Sequence, residues 1–448
     1  MAITCFFVVS LYGISSIRRG VGIPLLAAVA TVFVWYVGDV LYNNYRAIHL
    51  SQFSPGTIDQ AWWQVSAFLI ALLVFVFLLN RRLSGNLPQT YFLYRNGVKF
   101  VALQQMLHVF FRLCVAIWLI LLVFAFLNVG FKAVFFALPV LGSKVAPFAR
   151  PQIGGGISAI LSLAQNFYLL VGAGFGVIAA LATNQRLRWL AILACLLIWP
   201  NFFLDRTRNT MLAVALPGVL AYVFFRIRAS NSIRISLLAL AFTFLSAWFS
   251  FVMQSRGYGV AVSRVFLEEG IESVLQAEAS HAGLNMFEEL CWMNRFIAQG
   301  QYLPNWGARY FAELVNPVPR ALWPSKPTIG LDYAVARGQV VRGSDGAVTA
   351  TISTGVIGQG VNNFGIYFGP LAAAFLMSLW VSILARLDTS PSAYRLPLLL
   401  VGLVLTFNLG RDITFITLYP FVFGYVAIRV IEEMRKRRRP RLAVPARP

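Results

Sequence analysis

The stretch Trp62–Asn80 reads WWQVSAFLIALLVFVFLLN, with no aspartate, glutamate, lysine or arginine in it. A helix rises about 1.5 Å per residue, so a run of this length crosses a hydrocarbon core of roughly 30 Å. Comparable apolar runs recur outward from it in both directions. Eleven stretches read as spans: 2–16, 21–42, 62–80, 107–129, 157–182, 188–204, 209–226, 235–253, 364–386, 396–410 and 413–431. Of the 448 residues, 59% are hydrophobic, against about 45–50% in a soluble domain. The mean hydropathy is +0.72. The reading is an all-α polytopic membrane protein of about eleven transmembrane helices, and a single soluble core is excluded.

The net charge is +21. On a soluble chain that would suggest nucleic acid; here no RNA-binding signature accompanies it, and no nucleic-acid partner is expected. Positive charge is retained on the cytoplasmic side of membrane proteins. With the N-terminus outside, the inner connections carry Arg18 and Arg19, then Arg81, Arg82, Arg95 and Lys99, then Arg186 and Arg188. Arg226, Arg228 and Arg234 follow, then Arg386 and Arg395, and last the tail RKRRRPR of Arg435–Arg441. Every inner connection is cationic, and the C-terminus falls in the cytoplasm. The basic tail of 432–448 also suits anionic membrane lipids. The first run, AITCFFVVSLYGISS, is followed rather than preceded by arginines, the reverse of a signal peptide, and reads as a first span.

The chain divides into helices one to eight (1–253), a large outer loop (254–362), helices nine to eleven (363–431) and the tail. The loop has about 110 residues and nine of the sixteen acids. Loops beyond about 12–15 residues are uncommon and mostly functional. Within it, AGLNMFEELCWMNRFIAQ has helical spacing of Leu284, Phe287, Leu290, Cys291 and Met293, which predicts a helix lying on the bundle or the membrane interface. Cys114 and Cys195 lie in apolar spans and read as small hydrophobes. The three histidines are scattered and no HxxxH, CxxC or DxD occurs, so neither a metal nor a cofactor is expected.

Outer cations break the charge rule and are therefore informative. Arg206 and Arg208 sit in one short outer link, and Arg411 beside Asp412 in another. The seventh, ninth and eleventh spans run inward, so their N-termini point outward, following Arg206/Arg208, Asn362/Asn363 and Arg411/Asp412. Helix N-termini and arginine forks both favour phosphate. The expected ligand is anionic and phosphate-bearing, at the outer membrane face. The stretch Asn316–Pro327, NPVPRALWPSKP, has four prolines. It cannot be a helix interior and would hold Arg320 and Lys326 stiffly at that face.

The segment NWGARYFAELVNPVPRALWPSKP resembles oligosaccharide repeat-unit polymerases of the O-antigen (Wzy) type. The residues that carry the likeness are Gly307, Tyr310, Pro319, Arg320, Leu322, Trp323, Pro324, Lys326 and Pro327. STGVIGQGVNNFGIYFGP and LGRDITF are similar to that family's later segments. The likeness covers 305–370 well and 200–430 loosely. It implies a glycosyltransferase C-like fold in a bacterial inner membrane and an inverting transfer that needs no metal. The implied partners are undecaprenyl-diphosphate-linked glycan donor and acceptor, and a polysaccharide chain-length regulator. The product would be an O-antigen, capsule or exopolysaccharide.

Such chemistry needs cations on the leaving diphosphate and a base on the acceptor hydroxyl. Arg206, Arg208, Arg320, Lys326 and Arg411 are the cation candidates, with Trp323 and Tyr310 as glycan or diphosphate contacts. His281, Glu288 and Glu289 lead the candidates for the base, with Glu278, Glu313, Asp332 and Asp345 behind them. His281 and Glu288 are seven apart and share a helical face. The apolar context NMFEELCWM would raise a carboxylate pKa. A ligase, a lipid-linked-oligosaccharide flippase and a non-catalytic scaffold are the competing classes. A flippase would show midplane charges and two similar halves, which the chain does not.

Overall fold

The structure is a computed structural model that describes residues 1–41, 49–81, 87–98, 100–130, 148, 158–203, 208–257, 285–319, 322–327, 330–338 and 352–438. Among these the regular structure is entirely helical. In chain order the α-helices are α1 (Ala2–Ser15), α2 (Gly22–Val32), α3 (Pro55–Asn80), α4 (Gln89–Asn96) and α5 (Val101–Val129). Then come α6 (Ser158–Leu181), α7 (Gln185–Phe203), α8 (Arg208–Ala221), α9 (Asn231–Gly257) and α10 (Met286–Ala298). The last are α11 (Ala308–Val315), α12 (Leu331–Ala336), α13 (Gly355–Asp388), α14 (Leu396–Arg411) and α15 (Phe415–Arg438). π-Helical turns extend α2 over Phe33–Val37 and α8 over Tyr222–Arg226.

A helix overlaps each of the eleven expected spans. Among the described residues six are long and apolar enough to cross a membrane: Pro55–Asn80, Val101–Val129, Ile160–Leu181, Gln185–Phe203, Gly355–Asp388 and Ala393–Arg411. α1, α2 and α8 are shorter, α15 is more charged, and α9 is counted only over Asn231–Leu245. α3 starts earlier than its apolar run because Ser54 caps it, its Oγ accepting from the Thr57 amide at 3.3 Å, with Pro55 in the first turn.

α13 departs from the expectation of a loop running to 362 and a span starting at 364. The helix begins at Gly355 and breaks at Gly365, whose φ of 77° lies in the left-handed region that glycine tolerates. The two arms fold back on each other. A side chain at Gly360 would run into the Gly369 carbonyl, and one at Gly369 into the Val361 backbone. A short arm, 355–364, is thereby tucked against the top of the long one. Asn362 and Asn363 therefore end the short arm instead of opening a span. They act as ties: Asn362 Oδ1 accepts from the Tyr302 hydroxyl at 2.5 Å and from Asn305 Nδ2 at 2.9 Å. Asn363 Oδ1 accepts from the Tyr310 amide at 3.2 Å.

The loop helix α10 is sunk into the bundle between α3 and α13, with Phe287, Leu290, Cys291 and Met293 fully buried. A reciprocal amide pair fixes it: Gln64 and Asn294 exchange two 2.9 Å hydrogen bonds. Gln64 Nε2 also reaches the Ile366 carbonyl at 3.3 Å, just past the break. The first amides of α10, at Phe287 and Glu288, donate to Asp39 Oδ2 at 2.8 and 3.0 Å. This cap comes from another helix, since Asn285 supplies none.

Connections expected on the cytoplasmic side gather at one end of the bundle. Asp388 accepts from the Thr90 amide and hydroxyl at 2.9 and 2.7 Å. Arg226 Nη1 reaches the Ala182 carbonyl at 3.3 Å, and Arg395 pairs with Glu432 at 2.8 Å. α10, α11 and the short arm of α13 lie at the opposite end.

Candidate functional site

At that opposite end, four elements meet around a group of buried polar atoms. Asn305, Trp306 and Gly307 lead into α11, which presents Arg309, Tyr310 and Glu313. The α14–α15 link presents Asp412, and the residue before α13 presents Thr354. Arg309 and Glu313 are each about 5% exposed, and Thr354 not at all. Gln359 holds the link in place as a surrogate peptide: its Oε1 accepts from the Ile413 amide at 2.8 Å and its Nε2 donates to the Ile413 carbonyl at 3.2 Å.

The site is underbonded. Arg309 Nη2 lies 3.7 Å from Asp412 Oδ1, an ion pair too long for a hydrogen bond. Arg309 Nε and Nη1, the Tyr310 hydroxyl, Glu313 Oε2, Thr354 Oγ1 and Arg411 Nε are all buried without a hydrogen-bond partner. Native interiors leave few such atoms, and a convergent set asks for an explanation. Burial pushes the Glu313 carboxyl up to about 8, against the pull of Arg309 and with a further push from Asp412. Burial also raises Asp412, while Arg309, the Ser353 hydroxyl, Arg411 and the Thr354 amide draw it down. Near neutral pH Glu313 mostly holds its proton. At most one carboxylate then faces two guanidiniums, and the site is net positive.

Beside it runs an apolar groove of about 380 Å³, floored by Tyr310, Phe311 and Leu314 of α11. Phe364, Phe375 and Phe415 complete its walls. Tyr310 therefore belongs to both features, its ring in the groove and its hydroxyl in the polar group.

A second acidic cluster lies around α10. The Tyr333 hydroxyl donates to Glu289 Oε2, and Arg337 Nη2 pairs with Glu289 Oε1 at 3.0 Å. Burial pushes the Glu289 carboxyl up; Arg337 and the Tyr333 hydroxyl draw it back. Glu288 Oε1 accepts from Trp292 Nε1 at 3.2 Å and Gln52 Nε2 at 3.3 Å, and Oε2 is buried without a partner. Arg337 also stacks on Trp292 at 4.5 Å. Glu289 is thus spoken for, and Glu288 is the more available carboxylate of the two.

The other sequence candidates fall as follows. Arg206, His281 and Arg320 lie outside the described residues, and Arg208 opens α8 with only its backbone described. Arg411 ends α14 beside Asp412 and joins the polar group. Trp323 packs edge-on against Phe311 and donates from Nε1 to Ser325 Oγ at 3.0 Å. Lys326 turns inward: its Nζ donates to the Asn316 and Val318 carbonyls at 2.9 and 2.8 Å, and it is about 5% exposed. It staples the proline-rich loop. In the sequence Arg309 is one of many loop cations, and neither it nor Asp39 stands out as a site residue. The signal for Asp39 was there: a lone acid inside an apolar run is rare and marks a specific task.

No protein-family model, curated protein or solved structure matches the chain.

Proposed function

We propose that the chain is a membrane-embedded glycosyltransferase that polymerises polyprenyl-diphosphate-linked oligosaccharide repeat units. The carrying observation is the buried Arg309–Glu313–Asp412 group, cationic at rest and underbonded, opening beside an apolar groove at one end of the bundle. A diphosphate supplies the acceptors that Arg309 and Arg411 lack, and the groove suits the first isoprene units of its lipid.

In the proposed step an acceptor hydroxyl oxygen attacks the anomeric carbon from the face opposite the diphosphate. The carbon–oxygen bond to the diphosphate breaks, and its electron pair leaves with the phosphate. The configuration inverts. The hydroxyl proton passes to ionised Glu313; Glu288 also carries a buried oxygen without a hydrogen-bond partner. Preorganised guanidiniums stabilise the charge that grows on the leaving group. On the sequence likeness, Arg320 joins them from the proline-rich loop.

This reading places the site at the periplasmic face of a bacterial inner membrane, with all eleven helices crossing and the arginine-rich end in the cytoplasm. Reporter fusions at Arg82, Arg228 and the tail should read cytoplasmic, and those within 285–338 periplasmic. The deciding experiment incubates purified protein with one lipid-linked repeat unit. A ladder of products supports the polymerase; a single transfer to a different acceptor would make it a ligase; no product over a range of repeat units overturns transfer altogether.

A further inference from the structure

At the arginine-rich end of the bundle lies a polar pocket of about 630 Å³, distant from the site above. Its walls include Tyr94 and Arg95 of α4, and Arg228, Ser230 and Arg234 from the turn and first residues of α9. Among the described residues no acidic side chain lines it. We propose that this pocket binds a phosphate group, carried by an anionic phospholipid headgroup or free in solution.

Retention of positive charge on one side of a membrane explains why arginines gather here, but it does not explain Arg234. That residue is about 7% exposed, and Nε and Nη1 are buried with no hydrogen-bond partner. Its Nη2 donates to the Ile227 carbonyl at 3.0 Å and its plane rests 4.6 Å over the Tyr94 ring, so the guanidinium is held in place. A buried arginine normally meets a carboxylate or an anion; here no carboxylate among the described residues lines the pocket. Arg95 and Arg228 stand exposed at the rim, and α9 directs its positive N-terminal end to the same place. Gly97, at φ 72°, brings the chain near Arg228, Nη2 lying 3.7 Å from where a Cβ would stand. Three guanidiniums and a helix end around one cavity match phosphate oxygens, and basic pockets between membrane helices take lipid headgroups in this way.

The test uses the full chain and the double variant Arg95→Ala/Arg228→Ala, whose side chains are exposed and leave Arg234 stacked. Arg81→Ala/Arg386→Ala, exposed elsewhere at the same end, controls for lost charge. Native mass spectrometry follows added cardiolipin, and thermal unfolding in lipid-free detergent follows added inorganic phosphate. The pocket variant should bind on the order of tenfold more weakly than both wild type and control. Retention of cardiolipin without a phosphate shift identifies a headgroup, and a phosphate shift identifies free phosphate. Equal behaviour of pocket variant and control, or no response to either probe, overturns the proposal. None of these readouts depends on glycosyl transfer.

Discussion

Arg309 Nη2 faces Asp412 Oδ1 at 3.7 Å, joining α11 to the link between the last two helices. The separation leaves Nε and Nη1 of the guanidinium with nothing to donate to. A fork held in place by one loose ion pair is prepared for a second anion. Arg309→Lys keeps the charge and loses the two-pronged geometry. On the proposed reading turnover per folded molecule should fall on the order of 10²–10³, while the protein still reaches the membrane. Arg309→Ala is a poorer test, because removing one partner of a buried pair costs about 3–5 kcal/mol. Near-wild-type turnover in Arg309→Lys would remove Arg309 from the chemistry.

Glu313 gives a pH signature. On the proposed reading Glu313 is the base and must be ionised, and its carboxyl is pushed up to about 8. Turnover should therefore climb as pH rises through about 8, and Glu313→Gln should abolish that limb along with most activity. Stability moves the other way. The folded carboxyl holds a proton that the unfolded chain releases near 4.5. The stabilising contribution is full below the unfolded value, declines as pH rises toward about 8, and levels off above it. Glutamine mimics the protonated acid, so Glu313→Gln should lack this decline and unfold later than wild type at pH 9. Apparent melting temperatures at pH 6 and 9, set beside turnover, separate the two roles.

The helices were legible because a run such as Trp62–Asn80 admits one reading in a bilayer. The site was less so. Arg309 and Glu313 stand four apart on α11, a helical spacing, but Asp412 comes from a segment far away in sequence, and no spacing rule joins it to them. The segment STGVIGQGVNNFG straddles the end of the expected outer loop and the start of the expected ninth span. A short, uncharged, glycine-rich run suits a loop or a helix equally, and only packing against Gly369 decides for the helix. The setting of Lys326 was hidden for another reason. Its charge is visible in sequence, but the two carbonyls that consume it are not.

The same packing makes Gly360 sensitive. Any side chain there would collide with the Gly369 carbonyl, a backbone atom that cannot step aside. Gly360→Leu should push the arms apart and cost about 1–3 kcal/mol or more. Because the short arm carries Gln359 and Asn363, which hold Ile413 and Tyr310, activity should fall with stability. Gly56, with open space around it, is the control, and Gly56→Ala should change neither. The comparison is of detergent-solubilised yield, apparent melting temperature and turnover.

Asp39 links the second helix to α10 by accepting from two amides at 2.8 and 3.0 Å. Asp39→Ala strands both donors in a buried place and should cost roughly 1–3 kcal/mol. Asp39→Asn keeps an acceptor oxygen, gives up the charge, and should cost less. Hydrogen exchange over 286–298 should rise in the order wild type, Asn, Ala. Unchanged exchange in Asp39→Ala would mean that packing alone holds α10.

Arg320 and Lys326 stand on one proline-rich loop and are expected to fail differently. The Lys326 ammonium is buried against the Asn316 and Val318 carbonyls, so it shapes the loop and has little left for a ligand. Lys326→Met keeps the stem and removes the donors. Two buried carbonyls then lose charge-assisted bonds worth about 1.5–3 kcal/mol each. Melting temperature and yield should drop, and the turnover of molecules that remain folded should fall only as far as the loop loosens. Arg320, on the proposed reading, touches a diphosphate oxygen through a fork that lysine lacks. On that reading Arg320→Lys should leave the melting temperature near that of wild type and lower turnover on the order of 10²–10³. Binding of a non-transferable lipid diphosphate, measured on both variants, settles which residue meets the ligand. A loss confined to Lys326→Met would reverse the two assignments.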